Sequence, residues 1–264
     1  MSKSRLWLGI EIILLAVLLV LIGFFIKRKI DDREYLARQE KVQTEIQVSL
    51  KETAKEIGID LAKPEGENWI KKRNQAAINQ VEKIRKKTPS VIGIIEIPKT
   101  NILYEIVQGE DNQFYLNHDK NGNYHEFGEV YLDSRNQKDF TDKNSVIYGH
   151  NIRQAKTIFH ELLKYMDQEF YESHKEINLY TLGGFKSYEV KNVFYASPEE
   201  PYRERNFNNN QEFIEFVGKY IDDNMIETQL SDENIENKKL LTLSTCFDNN
   251  RRLVIQAIEK IEDL

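Results

Sequence analysis

The chain contains a single cysteine, Cys246, in the segment Leu240–Gln256. A lone thiol is either buried and inert or kept because it reacts. A thiol with a pKa of about 8.5 is only slightly ionised at neutral pH, so a reactive cysteine needs a base or a cationic neighbour. Arg251 and Arg252 follow after a short turn and could supply a fixed positive charge for an oxyanion. The segment therefore has the residue types of a nucleophilic site.

A base for this thiol could come from the histidines, of which there are five: His118, His125, His150, His160 and His174. His150 follows the apolar segment Val146–Tyr148 and a glycine, where a strand ends and the backbone turns. Such a position presents a side chain on a rigid frame. We predict that His150 is the base and that the other four histidines are structural.

The sequence around the thiol predicts two strands joined by a hairpin. In the segment Leu240–Cys246, Leu241 and Leu243 alternate with small polar residues, the period of a half-buried strand, so the thiol points away from these two leucines. Phe247–Asn250 has turn residues, and Leu253–Ile258 resumes as a β-branched strand. By the same alternation Arg252 shares a groove with the thiol, whereas Arg251 is turned away.

The body of the chain reads as short strands from Val91 onward. The predicted strands are Val91–Ile97, Ile102–Val107, Val130–Leu132, Ser145–Tyr148, Glu176–Thr181, Phe185–Ala196, Leu240–Cys246 and Leu253–Ile258. Helical patterns interrupt them at Ala155–Met166 and Gln211–Met225. The predicted fold class is mostly β, a barrel or sandwich with inserted helices.

The N-terminus carries the apolar run Leu6–Ile26, long enough as a helix to cross a hydrocarbon core of about 30 Å. No small-residue cleavage site follows it, so we predict an uncleaved signal anchor over residues 1–30. Basic residues flank both sides and leave the orientation open. The pattern of residues 31–88 predicts two helices, of which the first is a solvated spacer and the second packs on the β domain. We place the β domain at residues 89–264.

Composition excludes several classes of function. Residues 1–30 are basic, so the rest of the chain is more acidic than the net charge of −6 indicates, which argues against a nucleic-acid partner. The ligand spacings of common zinc and calcium sites are absent from the sequence, and so is a glycine-rich phosphate loop. We therefore expect neither a metal nor a cofactor.

Three motifs together resemble the sortase family, and in detail its class B: Tyr-Gly-His-Asn at 148–151, Thr-Leu-Ser-Thr-Cys at 242–246, and an arginine followed by Leu-Val-Ile. The similarity extends from Val91 to the C-terminus. It includes Gly-Ile-Ile-Glu-Ile-Pro at 93–98 and Tyr-Leu-Asp at 131–133. The helices before Val91 also resemble those of class B.

The resemblance implies an eight-stranded sortase-type barrel and a membrane-anchored cysteine transpeptidase of the Gram-positive cell surface, with its catalytic domain outside. Cys246 would form a thioacyl intermediate with a sorting-signal peptide cleaved after Thr, His150 would move protons, and Arg252 would hold the oxyanion or the substrate backbone. An amine of peptidoglycan or of its lipid-linked precursor would resolve the intermediate. The resemblance also implies which residues would line the substrate groove: Asn112, Leu116, Tyr148 and Ser244.

Two other interpretations compete with this one. A papain-like or peptidoglycan-cleaving cysteine peptidase places its cysteine before its histidine, whereas His150 precedes Cys246 here. A membrane-tethered binding domain would have an inert thiol. Mild alkylation distinguishes these cases, because a buried structural cysteine resists it and a catalytic one does not.

Overall fold

The computed structural model describes residues 3–61, 68–153, 155–228, 235–248 and 250–260. The chain divides into two compact units, Met1–Glu45 and Ile46–Leu264. The helices are α1 (Lys3–Ile57), α2 (Trp69–Arg85), α3 (Gln168–Ser173) and α4 (Asn210–Gly218), and 3₁₀ helices span Phe114–Leu116 and Phe159–Met166. The strands are β1 (Val91–Glu96), β2 (Leu103–Val107), β3 (Val130–Leu132), β4 (Asn144–Tyr148), β5 (Asn151–Ile152), β6 (Thr157–Ile158), β7 (Glu176–Thr181), β8 (Gly184–Ala196), β9 (Leu240–Cys246) and β10 (Arg252–Glu259).

A closed barrel is formed by β1-β2-β3-β4-β9-β10-β8-β7, in that order. The pairs β2–β3 and β4–β9 are parallel, and the other neighbours are antiparallel. Closure leaves no unpaired edge in the barrel, and the side chains that point inward form its core. The predicted eight-stranded barrel with inserted helices is confirmed.

Three strands bring their ends together at one rim of the barrel. β4 runs parallel to β9, with Tyr148 beside Ser244, so the carboxyl ends of both strands lie at the same rim. β10 runs back from that rim antiparallel to β9, with Arg252 opposite Cys246. The rim therefore collects the last residues of two strands and the first residue of a third.

The expectation that β9 is half-buried is wrong, because every residue of β9 before Cys246 is buried. Leu240 packs with Phe213 and Val217 of α4. Leu240 and Cys246 lie on the same face of the strand by alternation. Helix α4 thus covers the beginning of this face, and the thiol lies at the half-buried end of it.

The last turns of α1 pack against α2, contrary to the expected solvated spacer. Leu50 is buried, and Ser49 Oγ and Thr53 Oγ1 donate hydrogen bonds to Gln80 Oε1 at 2.9 and 3.2 Å. These turns belong to the same compact unit as the barrel. The apolar residues at helical spacing in this part of α1 are therefore a packing face.

Helix α2 packs on the barrel, as predicted. Asn74 Oδ1 accepts a hydrogen bond from Phe185 N at 3.2 Å. The guanidinium of Arg73 lies 4.0 Å from the ring of Phe185 and 4.6 Å from the ring of Trp69. These contacts join α2 to the beginning of β8.

Two inserted helices differ from their predicted form. The pattern at Ala155–Met166 is a 3₁₀ helix from Phe159, and the short β5–β6 hairpin precedes it. The helix predicted at Gln211–Met225 ends at Gly218, where glycine lowers helix propensity by about 1 kcal/mol relative to alanine. Two-residue strands have too few positions to show a hydrophobic period, so the sequence does not predict the β5–β6 hairpin.

Candidate active site

The thiol lies at the end of β9, next to the hairpin turn that leads into β10. Hydrogen bonds among the turn residues close this hairpin. Phe247 N donates to Arg251 O at 3.0 Å, and Asp248 Oδ1 accepts from the backbone N–H groups of Asn250 and Arg251 at 2.9 and 2.8 Å. An aspartate that bonds the next backbone N–H groups stabilises a turn. Position 249 of this turn lies outside the described residues.

Strand register places Arg252 beside Cys246 and Arg251 elsewhere. Cys246 and Arg252 are direct partners, and the β9–β10 pairing continues from there without a register shift. Directly opposed residues have their Cβ atoms about 4.5–5.5 Å apart on one face. Arg251 instead forms an ion pair with Asp248 at 2.7 Å and lies over the ring of Tyr195 at 4.6 Å. Arg252 therefore lines the same cavity as the thiol, and Arg251 is not among the residues that line that cavity.

A cavity of about 210 Å³ opens at this rim. All seven residues singled out from the sequence line it: Asn112, Leu116, Tyr148, His150, Ser244, Cys246 and Arg252. They come from the 3₁₀ helix after β2 and the residues just before it, from the ends of β4 and β9, and from the start of β10. The fold thus gathers into one cavity residues that are more than 100 positions apart in the sequence.

A backbone carbonyl holds one side of the His150 ring. Its Nε2 lies 2.7 Å from Leu116 O, and because a carbonyl only accepts, Nε2 must carry the proton. In the neutral ring Nδ1 is then the nitrogen that can take up a proton. The preceding Gly149 has no room for a side chain, since a Cβ there would lie 2.7 Å from the ring of Phe159. The backbone that carries His150 is therefore closely packed.

A buried carboxylate fixes Tyr148 in the cavity wall. Tyr148 Oη donates to Asp133 Oδ2 at 2.8 Å, and Arg135 donates to both oxygens of Asp133 at 2.9 Å. Burial of Asp133 raises its pKa, but the hydrogen bonds from Arg135 and Tyr148 lower it by more, so that the pKa of Asp133 is about 2. Burial and the neighbouring Asp133 raise the pKa of Tyr148. Tyr148 is therefore a neutral phenol in a fixed orientation.

Two further polar residues of the wall, Asn112 and Ser244, are also fixed by hydrogen bonds. Asn112 Oδ1 accepts from Ser134 N at 2.7 Å, which leaves its amide N–H groups as the donors available to a ligand. Ser244 Oγ and Tyr202 Oη are hydrogen-bonded at 3.0 Å. The wall thus presents oriented polar groups around the thiol.

The remaining histidines lie outside the cavity lining. His118 Nδ1 and His174 Nδ1 lie 3.0 and 2.8 Å from the backbone oxygens of Phe114 and Phe170, as expected for structural histidines. Across the described parts of the chain, no group of three or more His, Cys, Asp or Glu side chains could hold a metal ion.

Comparison with known proteins identifies the family. A family model described as the sortase domain matches residues 95–260. The chain belongs to the sortase family. Sortase B of Staphylococcus aureus (strain NCTC 8325 / PS 47) is 27% identical over 261 residues, which cover 97% of each chain. Two solved structures, the S. aureus sortase B–substrate complex and a sortase B complexed with triglycine, match with TM-scores of 0.71 and 0.72 at 24% identity. They cover 89% and 88% of this chain and 100% of their own.

Membership of the family fixes the type of enzyme. This sortase is a cysteine transpeptidase of the kind that anchors surface proteins, and the relatives that it resembles belong to class B. Its relatives are enzymes of the cell surface. The predicted family, fold and enzyme type are therefore confirmed.

The cavity of this sortase also contains residues that sequence reasoning did not select as site residues: Tyr131, Gly149, Pro198, Tyr202, Arg203 and Thr245. Burial raises the pKa of Tyr131 and of Tyr202. Tyr131 stands in a strand whose three residues are all buried, so alternation does not reveal which face it occupies. Tyr202 belongs to the irregular connection between β8 and α4, where no period gives a signal.

Proposed function

We propose that Cys246 is the nucleophile that cleaves a sorting-signal peptide after a threonine and holds the acyl fragment as a thioester. The observation that carries this proposal is the shared cavity, which Cys246, His150 and Arg252 line together at the end of three paired strands. A nucleophile, a proton carrier and a fixed cation within one cavity are the groups that acyl transfer requires.

The chemistry proceeds in two matched halves. The Cys246 thiol transfers its proton to His150, the thiolate attacks the scissile carbonyl, and the guanidinium of Arg252 stabilises the resulting oxyanion. His150 protonates the leaving amine, so the C–N bond breaks and a thioester forms. An acceptor amine then attacks the thioester, His150 takes the proton of that amine, and the thiolate leaves.

The substrate groove is formed by Asn112, Leu116, Tyr148 and Ser244. A motif of the Asn-Pro-x-Thr-Asn or Ser/Pro-Pro-x-Thr-Gly kind would lie along it, with the Asn112 amide as a donor to its backbone. The structure of S. aureus sortase B with a substrate supports a peptide ligand, and the sortase B structure with triglycine supports an amine acceptor. For this chain the acceptor is an amine of peptidoglycan or of its lipid-linked precursor.

The N-terminal part of α1 is the membrane anchor. It is the one helix among the described residues that is long and apolar enough to cross a bilayer, and its apolar side chains from Trp7 to Ile26 are exposed. We place the anchor at residues 1–30, the N-terminal helices at residues 31–88 and the catalytic domain, outside the cell, at residues 89–264. The cell-surface relatives support this orientation.

A peptide panel tests the proposal. The full chain in detergent micelles is incubated with sorting-motif peptides and triglycine, and the products are weighed by mass spectrometry. We expect cleavage after threonine, a thioester mass on Cys246 and a product extended by triglycine. A panel with no cleaved peptide, or cleavage without an adduct on Cys246, would refute the mechanism.

A further inference from the structure

Asn151, the residue after His150, joins the two strand ends that carry the site. Its Nδ2 donates to Cys246 O at 3.0 Å. One step earlier along the same parallel pair, Gly149 N donates to Ser244 O at 3.3 Å. Ladder contacts of one strand recur every two residues. The side-chain amide of Asn151 therefore takes the place of the next backbone donor, beyond the end of β4.

A second histidine fixes the orientation of this amide. Because Asn151 Nδ2 is the donor to Cys246, Asn151 Oδ1 is directed at the other partner, His160 Nδ1, at 2.7 Å. An amide oxygen only accepts, so His160 Nδ1 must carry a proton. A rotated amide would place two acceptors opposite each other at Cys246 O. The hydrogen bonds thus run in one direction, from His160 through Asn151 to Cys246.

His160 is itself held in place by the β5–β6 hairpin. Asn151 pairs with Ile158 in that hairpin, and Phe159 N donates to His150 O at 2.9 Å. Burial lowers the pKa of His160, and the nearby charges of Lys156 and Arg153 lower it further. The ring is therefore neutral at physiological pH, with its proton on Nδ1.

We propose that Asn151 and His160 are positioning residues that hold the backbone of Cys246 at a fixed separation from the backbone of His150. This inference rests on the proposed function of those two residues. Asn151 is bonded covalently to His150 and by hydrogen bond to Cys246, so one side chain links the nucleophile to the base. A displacement of about 1 Å between reacting groups can lower a rate by about 10²-fold. The expectation that His160 is only structural is revised accordingly.

Kinetics of an Asn151→Ala variant test the link directly. The full chain in detergent micelles is assayed with a sorting-motif peptide that the unchanged enzyme cleaves, with triglycine as acceptor. We expect kcat to fall about 10- to 100-fold with KM unchanged. Iodoacetamide should still label Cys246 completely, because the thiol stays in place and accessible.

Two substitutions at His160 separate positioning from general stability. In His160→Asn the amide nitrogen takes the position of Nδ1 and can donate to Asn151, whereas His160→Leu has no donor. We expect His160→Asn to retain kcat within about twofold and His160→Leu to lose about tenfold or more. His174→Asn serves as the control, because the ring Nδ1 of His174 faces the backbone oxygen of Phe170 and its ring lies outside the cavity lining.

The double variant gives the most direct test. Because His160 acts through Asn151, Asn151→Ala combined with His160→Leu should be no slower than Asn151→Ala alone. Multiplied losses, or equal loss in His160→Leu and His160→Asn, would overturn the inference, as would an unchanged kcat for Asn151→Ala. If Asn151→Ala does not fold, the two His160 variants decide. If the protein without substitutions shows no cleavage that depends on Cys246, that result would instead refute the proposed function.

Discussion

At the scale of single residues, the identity of the working arginine depends on one step of strand register. Arg252 is the direct partner of Cys246 in the β9–β10 pair. Its neighbour Arg251 is occupied by Asp248 and by the ring of Tyr195. A slip of one residue would exchange the faces of the two arginines. The tight turn at Asp248 is what prevents that slip.

The first prediction concerns the two reacting groups. Cys246→Ala should abolish cleavage and transfer and leave the thermal midpoint almost unchanged, because a small side chain is removed from a half-buried strand end. His150→Ala should lose activity by several orders of magnitude, and His174→Asn should not. Peptide assays and thermal scans on the three variants measure this. An acyl adduct on the Cys246→Ala protein would contradict the assignment.

The second prediction compares the adjacent arginines. Arg252→Ala should lower turnover by about 10²–10³, the usual effect of deleting an oxyanion donor. Arg252→Lys should recover little, since a point charge cannot reproduce the planar guanidinium. Arg251→Ala should lose less than about tenfold, because its ion pair is on the surface. Steady-state kinetics on the three proteins decide it. An inactive Arg251→Ala next to an active Arg252→Ala would show that the roles are reversed.

Strand alternation and sequence motifs were sufficient to predict that Cys246, His150 and Arg252 lie close together, because each lies in or beside a regular strand. The same reasoning could not find Tyr202 or the link between Asn151 and His160. Tyr202 lies in an irregular connection. His160 lies in a 3₁₀ helix after a two-residue strand, and its contact is visible only when the hairpin is folded.

At the scale of structural elements, a buried carboxylate, that of Asp133, connects β3 to β4. Asp133 follows β3, has no exposed surface, and accepts hydrogen bonds from Arg135 and from Tyr148 at the end of β4. These bonds keep Asp133 ionised against the cost of burial. A single carboxylate therefore holds one wall of the cavity in position.

The third prediction is the pH dependence of that carboxylate. The pKa of Asp133 is lowered to about 2 in the fold, against about 3.9 for an unfolded aspartate. Its stabilisation is thus complete above about pH 4 and is lost as the pH falls through about 2. Asp133→Asn should lower the free energy of unfolding by about 2 kcal/mol at pH 7.

Urea unfolding of both proteins at a series of pH values measures this effect. The difference between them should shrink towards pH 2. Asp222→Asn, which changes an exposed carboxylate, is the control and should show almost no difference. A stability loss for Asp133→Asn that is the same at pH 2 and pH 7 would contradict the assigned role of the charge.

The elements themselves follow their sequence patterns where those patterns are long. The barrel strands show a period of two or continuous apolar runs, and their bounds agree closely with the prediction. The end of α4 at Gly218 is a local effect of glycine on helix propensity, whereas the packing of α1 on α2 is a tertiary effect. A helical period cannot distinguish an apolar stripe that meets a partner helix from one on a solvated spacer.

At the scale of the whole molecule, two truncations separate the proposed anchor from the packed part of α1. A chain that starts at residue 31 should be soluble and active, because it loses the exposed apolar run Trp7–Ile26 and keeps every contact with α2. A chain that starts at residue 58 loses Leu50 and the two hydroxyl partners of Gln80. Its thermal midpoint should fall by several degrees. Equal midpoints would show that these turns of α1 do not stabilise the barrel.

The strand order has a consequence for how the enzyme is made. β9 and β10 lie between β4 and β8 in the closed barrel, yet the ribosome synthesises them last. Until they insert, β4 and β8 each present a row of unpaired backbone groups, which other chains can pair with. Cys246 lies in β9, so the thiol is synthesised with the segment that completes the barrel wall. We therefore expect a chain that stops before residue 240 to lack the thiol and to be prone to aggregate.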